Sequence, residues 1–254
     1  MLLVGSLGLI MSDVREVLEK AYKELAEKDF PDGDRIRFIA ELGASDDIDY
    51  HYKLICDSWK SGKRLYLESS FDKHGEEGIE FLFAKLCEVE GDIIKVLTAY
   101  LIAEILSKSK HRDFYAGFCK RLIPILISEI KTCDEVLRRK LIIALGWVGT
   151  SNEIGFLTRQ MLSDDDALCR VWSASSLMQM SFHGVSKEEV CEASKDAFAK
   201  VLSDEKDIQA CGLILESVQT LYGKKWVSSS AVEDVDEARI EKGRKSALRF
   251  LSKL

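Results

Sequence analysis

Apolar residues recur every three to four positions along almost the whole chain, the spacing of an amphipathic helix, and no stretch alternates apolar with polar as a half-buried strand would. The breaks divide the predicted helices into pairs, each an A helix followed by a B helix. The first pair covers about 13–28 and 34–43, interrupted at Pro31-Asp32-Gly33, and the second about 47–61 and 63–74, interrupted at Gly62. The third covers about 76–89 and 92–107 around Gly91-Asp92, the fourth about 112–131 and 134–148, the fifth about 152–163 and 165–181, and the sixth about 187–203 and 206–222. A polar loop from Gly223 to Ser230 then leads to a charged amphipathic helix over about 234–254, which predicts a cap.

The B helices repeat one another. Leu137-Arg138 through Ala144-Leu145-Gly146-Trp147-Val148-Gly149 overlays Cys169-Arg170 through Ala174, Leu177 and Met180, with the two arginines 32 positions apart and each four positions after an aspartate, Asp134 or Asp166. A period of this size predicts a repeat architecture, in which a helical pair buries its apolar face only by stacking on a neighbour. Small residues such as Ala144 and Ala174 let helices approach, and Leu145 and Leu177 fill the groove so created. Asp134–Arg138 and Asp166–Arg170 read as i,i+4 ion pairs near helix starts, where the aspartate also meets the positive end of the helix dipole.

These residues resemble HEAT repeats, the two-helix units of α-solenoids, most sharply over about 112–181. The B-helix pattern of that family stands here as Leu137-Arg138…Ala144-Leu145-Gly146 and, more loosely, as Cys169-Arg170…Ser176-Leu177-Met178. Pro124 falls where A helices of the family are often kinked. Arg35-Ile36…Leu42-Gly43 and Ile94-Lys95…Leu101-Ile102-Ala103 are fainter copies, and the second and sixth pairs depart further. The resemblance implies an all-α, right-handed α-solenoid of about six antiparallel helix pairs with a C-terminal capping helix, and an arginine–aspartate ladder between repeats. The expected division is an extension over 1–11, a repeat domain over 12–222, and a loop with capping helix over 223–254.

Composition agrees with long helices. The chain has 254 residues, 46% hydrophobic and 31% charged, with two prolines, so a large core is available and turn-rich β architecture is disfavoured. The formal charge of −7 repels phosphate backbones and is compatible with a basic protein partner. The longest basic cluster, Leu137-Arg138-Arg139-Lys140, spans one helical turn, so nucleic acid is a disfavoured partner. Seven cysteines without CxxC spacing argue for a reducing compartment, most of them serving as small buried hydrophobes. His51, His74, His111 and His183 show no metal-ligand spacing. The apolar start, 1–10, is too short to span a bilayer and has no basic n-region; Met11-Ser12-Asp13 reads as a second possible start with Ser12 capping the first helix. A cytoplasmic protein without membrane attachment, metal or cofactor is expected.

No catalytic constellation stands out. Gly5-Ser6-Leu7-Gly8 lacks the ending of a phosphate loop, and no Gly-x-Ser-x-Gly elbow occurs. The acidic clusters at Asp46-Asp47-Ile48-Asp49, Glu76-Glu77 and Asp164-Asp165-Asp166 all open predicted helices, where capping explains them. One row of residues remains. The 32-residue offset aligns Lys140, Ile143 and Trp147 with Trp172, Ser175 and Gln179, and the offset of 43 to the earlier copy aligns them with Leu97, Tyr100 and Glu104. The row lies beside the Leu137, Leu141, Ala144, Leu145, Val148 stripe expected to be buried. B helices of solenoids usually line the concave face, and aromatics among polar groups resemble an interface hot spot; alternatively, Trp147 and Trp172 pack between repeats as core. Tyr100, Glu104, Lys140, Ile143, Trp147, Trp172 and Gln179 are therefore the candidate binding row, with no candidate catalytic or metal residues. Repeat architecture, acidic charge and the lack of a catalytic constellation predict a non-enzymatic protein-binding module; small acidic helical proteins of this kind look like bacterial immunity proteins, which implies an immunity or inhibitor protein neutralising a basic, nuclease-type bacterial toxin. Competing expectations are a HEAT-like enzyme, either a phycobilin lyase or an alkyl-base DNA glycosylase, and a subunit of a larger assembly.

Overall fold

The computed structural model describes the backbone of residues 3–88 and 92–254 and the side chains of 14–88 and 93–254. These residues are all-helical and contain no strand. The helices are α1 (Leu3–Glu27), α2 (Asp32–Ala44), α3 (Ile48–Ser61), α4 (Gly75–Glu88), α5 (Asp92–Lys108), α6 (Tyr115–Glu129), α7 (Glu135–Val148), α8 (Ile154–Ser163), α9 (Ala167–Met180), α10 (Lys187–Asp204), α11 (Ile208–Leu221), α12 (Ser229–Glu233) and α13 (Glu237–Leu251), with 3₁₀ turns at Leu67–His74 and Ser151–Glu153. The chain forms two compact units, residues 1–105 and 106–254. Residues 223–254 belong to the second.

Capping sets most helix starts. The side chains of Asp47, Asp134, Asp166, Asp207 and Asp236 each accept a backbone N–H of the helix that follows, as do Ser186 and Ser228, which satisfies donors the first turn leaves unpaired. Gly62, at φ 69°, closes α3 in the left-handed conformation that glycine adopts freely. Four expectations are corrected. Ser12 does not stand at a helix start, because α1 already begins at Leu3. The helix expected over 63–74 is irregular over 63–66 and then 3₁₀: Leu65 N–H bonds back to the Lys63 carbonyl in a tight turn, and Tyr66, exposed between the buried Leu65 and Leu67, takes a left-handed backbone (φ 58°) that an α-helix cannot contain. The loop expected over 223–230 ends inside α12. The fourth concerns the i,i+4 ion pairs and is described with the second unit. The break expected at Gly91 lies outside the described residues.

In the first unit, Tyr22, Phe30 and Phe38 join α1 to α2 through ring contacts of 5.6 and 5.8 Å. Arg15 on α1 grips Asp47, the cap of α3, through two bonds of 2.7 Å. The 3₁₀ turn packs against α2, α3 and α4. Its Ser70 lies against Gly43 so closely that an added Cβ would stand 2.8 Å from the Ser70 Cβ, and the Ser70 hydroxyl donates to the Ile39 carbonyl at 2.6 Å. His51 is fully buried beneath the same turn. Its Nε2 is 2.8 Å from the Leu67 carbonyl and its Nδ1 is 2.8 Å from His74 Nε2. A carbonyl only accepts, so Nε2 carries the proton, and Nδ1 of the neutral ring accepts from His74. Similar logic orders α3 and α5: Thr98 Oγ1 donates to the Ile94 carbonyl, so the Tyr52 hydroxyl is the donor in its 2.7 Å bond to Thr98.

In the second unit α9 packs against α7, α8 and α11; α8 packs against α10; and α13 packs against α10 and α11. At the α7–α9 contact, a Cβ on Gly146 would fall 2.7 Å from the Ser176 Cβ, and Ser176 Oγ donates to the Ile142 carbonyl at 2.9 Å. This is the arrangement of Gly43 and Ser70, again with the hydroxyl bonded four residues before the glycine. The arginines turn away from the aspartates four positions back, which are occupied as caps. Arg138 instead makes a two-bond pair with Asp164 at 2.9 Å, Arg139 pairs with Asp166, and Arg170 makes a two-bond pair with Glu205 at 2.7 and 2.8 Å. The expected i,i+4 pairs are thus replaced by pairs reaching from one helix to a later loop. Arg138 and Arg170 each also donate to the carbonyl six positions back, Thr132 at 2.9 Å and Asp164 at 2.8 Å. Further on, Arg244 of α13 closes the end of α10 by donating to the carbonyls of Leu202, Ser203 and Glu205.

Candidate functional site

The N-cap aspartates give α7, α9 and α11 a common origin for counting. Three, seven, ten, eleven and fourteen residues after Asp134, Asp166 or Asp207, every position on all three helices is buried. Two, six, nine and thirteen residues after the cap, none is buried. The second set contains Lys140, Ile143 and Trp147 on α7, Trp172, Ser175 and Gln179 on α9, and Leu213, Glu216 and Thr220 on α11. The α7 and α9 members occupy equivalent positions on packed helices, as the repeat spacing predicts. The α11 members escaped the sequence reading, although Asp207 marks their register. Tyr100 and Glu104 are half-buried on α5 in the first unit, where burial and the neighbouring Glu104 carboxylate raise the Tyr100 phenol.

The apolar centre of this face lies on α9. Leu168 and Trp172, one turn apart, are each 38% exposed, and Val136 occupies the position on α7 equivalent to Leu168. Leu168, Trp172 and Ser175 together with Leu213 and Thr220 of α11 line a groove of about 420 Å³. Ser229 and Gln219 border it. The Gln219 side-chain oxygen accepts from the backbone of Trp226 and Val227 at 3.0 and 3.1 Å, which fixes that wall. The groove offers an open apolar surface with a few hydrogen-bonding groups, among them Glu216, Ser217 and Thr220.

A larger cleft of about 720 Å³ opens between α6 and the loops that follow α7 and α9. Its polar lining includes Tyr115, Cys119, Lys120, Glu153 and His183. Burial pushes the Cys119 thiol up to about 11, so it is protonated near neutrality and a poor nucleophile. Glu153 is engaged by the backbone and hydroxyl of Thr150, at 2.8 and 2.7 Å, in a capping box. Burial, with Lys110 nearby, lowers His183, whose ring is hydrogen-bonded to the Trp147 backbone and whose Nδ1 is buried without a partner. No hydrogen bond joins His183 to Cys119, so the pairing that activates a nucleophile is missing from this cleft. Among the described residues there is no group of three or more His, Cys, Asp or Glu side chains able to hold a metal, and no helix long and apolar enough to cross a membrane.

Charge is divided between the units. Residues 1–105 carry 13 Lys and Arg against 22 Asp and Glu, a balance of −9, whereas 106–254 carry 23 against 21, a balance of +2. Within the second unit, Lys242, Lys245 and Arg249 of α13 and Lys253 just beyond it are all exposed. Their spacings of 3, 4 and 4 put the helical members on one face. A scan for contiguous basic residues does not reveal such a stripe; the same residues read with helical periodicity do. Comparison of the chain with protein-family models, with curated proteins and with solved structures finds no match.

Proposed function

We propose that this protein is a non-enzymatic protein-binding module whose binding face is the row on α7, α9 and α11. The observation that carries the reading is the uniform burial pattern of these helices, which leaves Trp172 and Leu168 partly exposed beside a groove at the centre of the row. Exposed aromatic and aliphatic anchors surrounded by amide and charged groups are the usual make-up of an interface hot spot. The proposed architecture is a right-handed, HEAT-like α-solenoid of antiparallel pairs capped by α13. The contacts of α7 with α9 and α9 with α11, matched by α8 with α10, support stacking of successive pairs, and the arginine pairs support the ladder.

Within that class, the favoured role is that of an immunity or inhibitor protein acting in the cytoplasm on a basic, nuclease-type toxin. The −9 balance of the first unit supplies the field that would steer such a partner. Photo-crosslinking in native cells tests the binding face, with p-benzoylphenylalanine in place of Trp172 in one variant and of exposed Asp196 on α10 in another. A protein captured at 172 and absent at 196 supports the reading, and Trp172→Ala should then weaken its affinity roughly thirtyfold, about 2 kcal/mol, with helical content unchanged. Equal capture at both positions, or an unaffected affinity, defeats it. The competing reading, a small-ligand protein such as a bilin lyase, rests on the 720 Å³ cleft, which is large enough for a drug-sized ligand; an absorbance change on mixing with bilin would favour it.

A further inference from the structure

From Lys242 onward the last helix carries cations and no carboxylate on its exposed face: Lys242, Lys245, Arg249 and, in the turn beyond, Lys253. Among the described residues none of the four takes part in an ion pair. The acids of the helix precede the stripe: Glu241, one turn before Lys245, pairs with Arg244 at 2.8 Å, and Glu237 sits in the first turn. We propose that this stripe is a docking site for the phosphodiester backbone of a single-stranded nucleic acid.

Three observations select that occupant. The first is geometry. A rise of about 1.5 Å per residue separates the helical cations by roughly 4.5 and 6 Å along the axis, a pitch that lets successive cations meet successive charges of a linear polyanion. The helix presents them rigidly, because Arg244 ties it to the Leu202, Ser203 and Glu205 carbonyls. Gly243 also lies so close to its neighbours that an added Cβ would stand 2.8 Å from Leu215 Cδ2.

The second is what accompanies the charge. Phe250, between Arg249 and Lys253, is half-buried 5.5 Å from the half-buried ring of Trp226. Lys224 Nζ stands 5.1 Å from the centre of the Phe250 ring, and Lys225 is exposed beside it. Cations interleaved with aromatic rings suit a strand that offers both phosphates and unstacked bases.

The third is what the face lacks. The apolar side of α13, namely Ile240, Ala247 and Leu251, is buried in the core, so the helix has no apolar face left to insert into a membrane surface. The four stripe side chains are all charged, and the Phe250 and Trp226 rings beside them are half-buried against each other, so no wholly exposed apolar anchor stands at the centre of the surface. The overall charge of −7 hides this surface because the excess of acid belongs to the first unit.

Fluorescence anisotropy of the full-length protein with labelled single-stranded DNA and RNA of about twenty nucleotides, at 50 to 200 mM salt, tests the proposal and separates the two sources of phosphodiester. Four phosphate contacts on a single strand give a logarithmic salt slope near −3, so affinity should fall about fiftyfold across that range. The variant Lys242→Glu/Lys245→Glu/Arg249→Glu/Lys253→Glu should lose binding while keeping the circular dichroism of the parent, since all four side chains are exposed. Absence of binding at 50 mM salt, or binding that the variant retains, overturns the proposal. So does equal affinity for poly-L-glutamate or for vesicles rich in anionic lipid, which would assign the stripe to an acidic protein or to a membrane surface.

Discussion

Acidification should loosen the first unit through one residue, His51. Its ring is fully buried, with both nitrogens committed: Nε2–H donates to Leu67 and Nδ1 accepts from His74. Charging His74 leaves this geometry intact, because a charged His74 still donates from Nε2. Charging His51 sets two N–H groups against each other in a fully buried site. Burial accordingly holds His51 down at about 4, opposed by its bond to the Leu67 carbonyl and assisted by His74. Burial also lowers His74, against the attraction of Asp46, Glu77 and Asp72. A histidine whose folded value is depressed binds its proton more readily when unfolded, so its contribution to stability is present above about 6.5 and is lost as pH falls toward 4. At about 1.36 kcal/mol per pH unit, lowering the pH from 7 to 5 should cost about 2 kcal/mol, and going to pH 4 about 3 kcal/mol. The assay is hydrogen exchange of peptides within 47–75 across pH 7 to 5, corrected for intrinsic rates, in the parent and in His51→Gln, whose amide can still donate to Leu67. The variant should start less stable and show a pH dependence about one proton shallower. Carboxylates common to both proteins cancel in that difference. Equal pH dependence in the two proteins refutes the reasoning, as does an imidazole NMR titration placing His51 near 6.5.

Two further perturbations test the packing. Gly146→Ala should destabilise the second unit by about 1–3 kcal/mol, because the new methyl meets the Cβ and backbone of Ser176 at 2.7 and 2.8 Å; Gly43→Ala should act likewise on the first unit, and an unchanged urea midpoint for either would show that its neighbour yields freely. Arg170→Ala leaves Glu205, whose side chain is only 3% exposed, without its cation and should cost about 3–5 kcal/mol, whereas Arg170→Met/Glu205→Met should recover much of that loss; thermal melts of the single and double variants would decide.

Helix type and approximate bounds are legible because they depend on local spacing. Asp134 and Asp166 announce α7 and α9, and the buried set Leu137, Leu141, Ala144, Leu145 and Val148 follows from a 3.6-residue period. What depends on partners distant in the chain is not. Arg138 stands four residues from Asp134, the spacing of a helical ion pair, yet that aspartate caps the helix and the guanidinium finds Asp164. Leu65 and Leu67 fit a helix on composition, and nothing in the local sequence announces the left-handed Tyr66 between them that breaks it. The contact of His51 with His74, 23 residues apart, has no sequence signature. The candidate row shows the same division: Trp147 and Trp172 fall at equivalent positions by counting alone, but that Trp172 is partly exposed depends on what α11 fails to cover.

The loop at Asp164 answers to two arginines at once. Its carboxylate holds Arg138 from behind and its carbonyl receives Arg170 from ahead, while Arg170 reaches on to Glu205 and Arg244 closes the end of α10 at that same residue. These two loops are joints, each held by one arginine from an earlier helix and one from a later helix. Such a chain can change length by a whole period between Asp134 and Asp166 and leave every joint with a partner on either side. An insertion of a single residue turns one cap out of register and strands one guanidinium. The feature that fixes this protein internally thus also fixes the increments by which sequences built on its plan can grow.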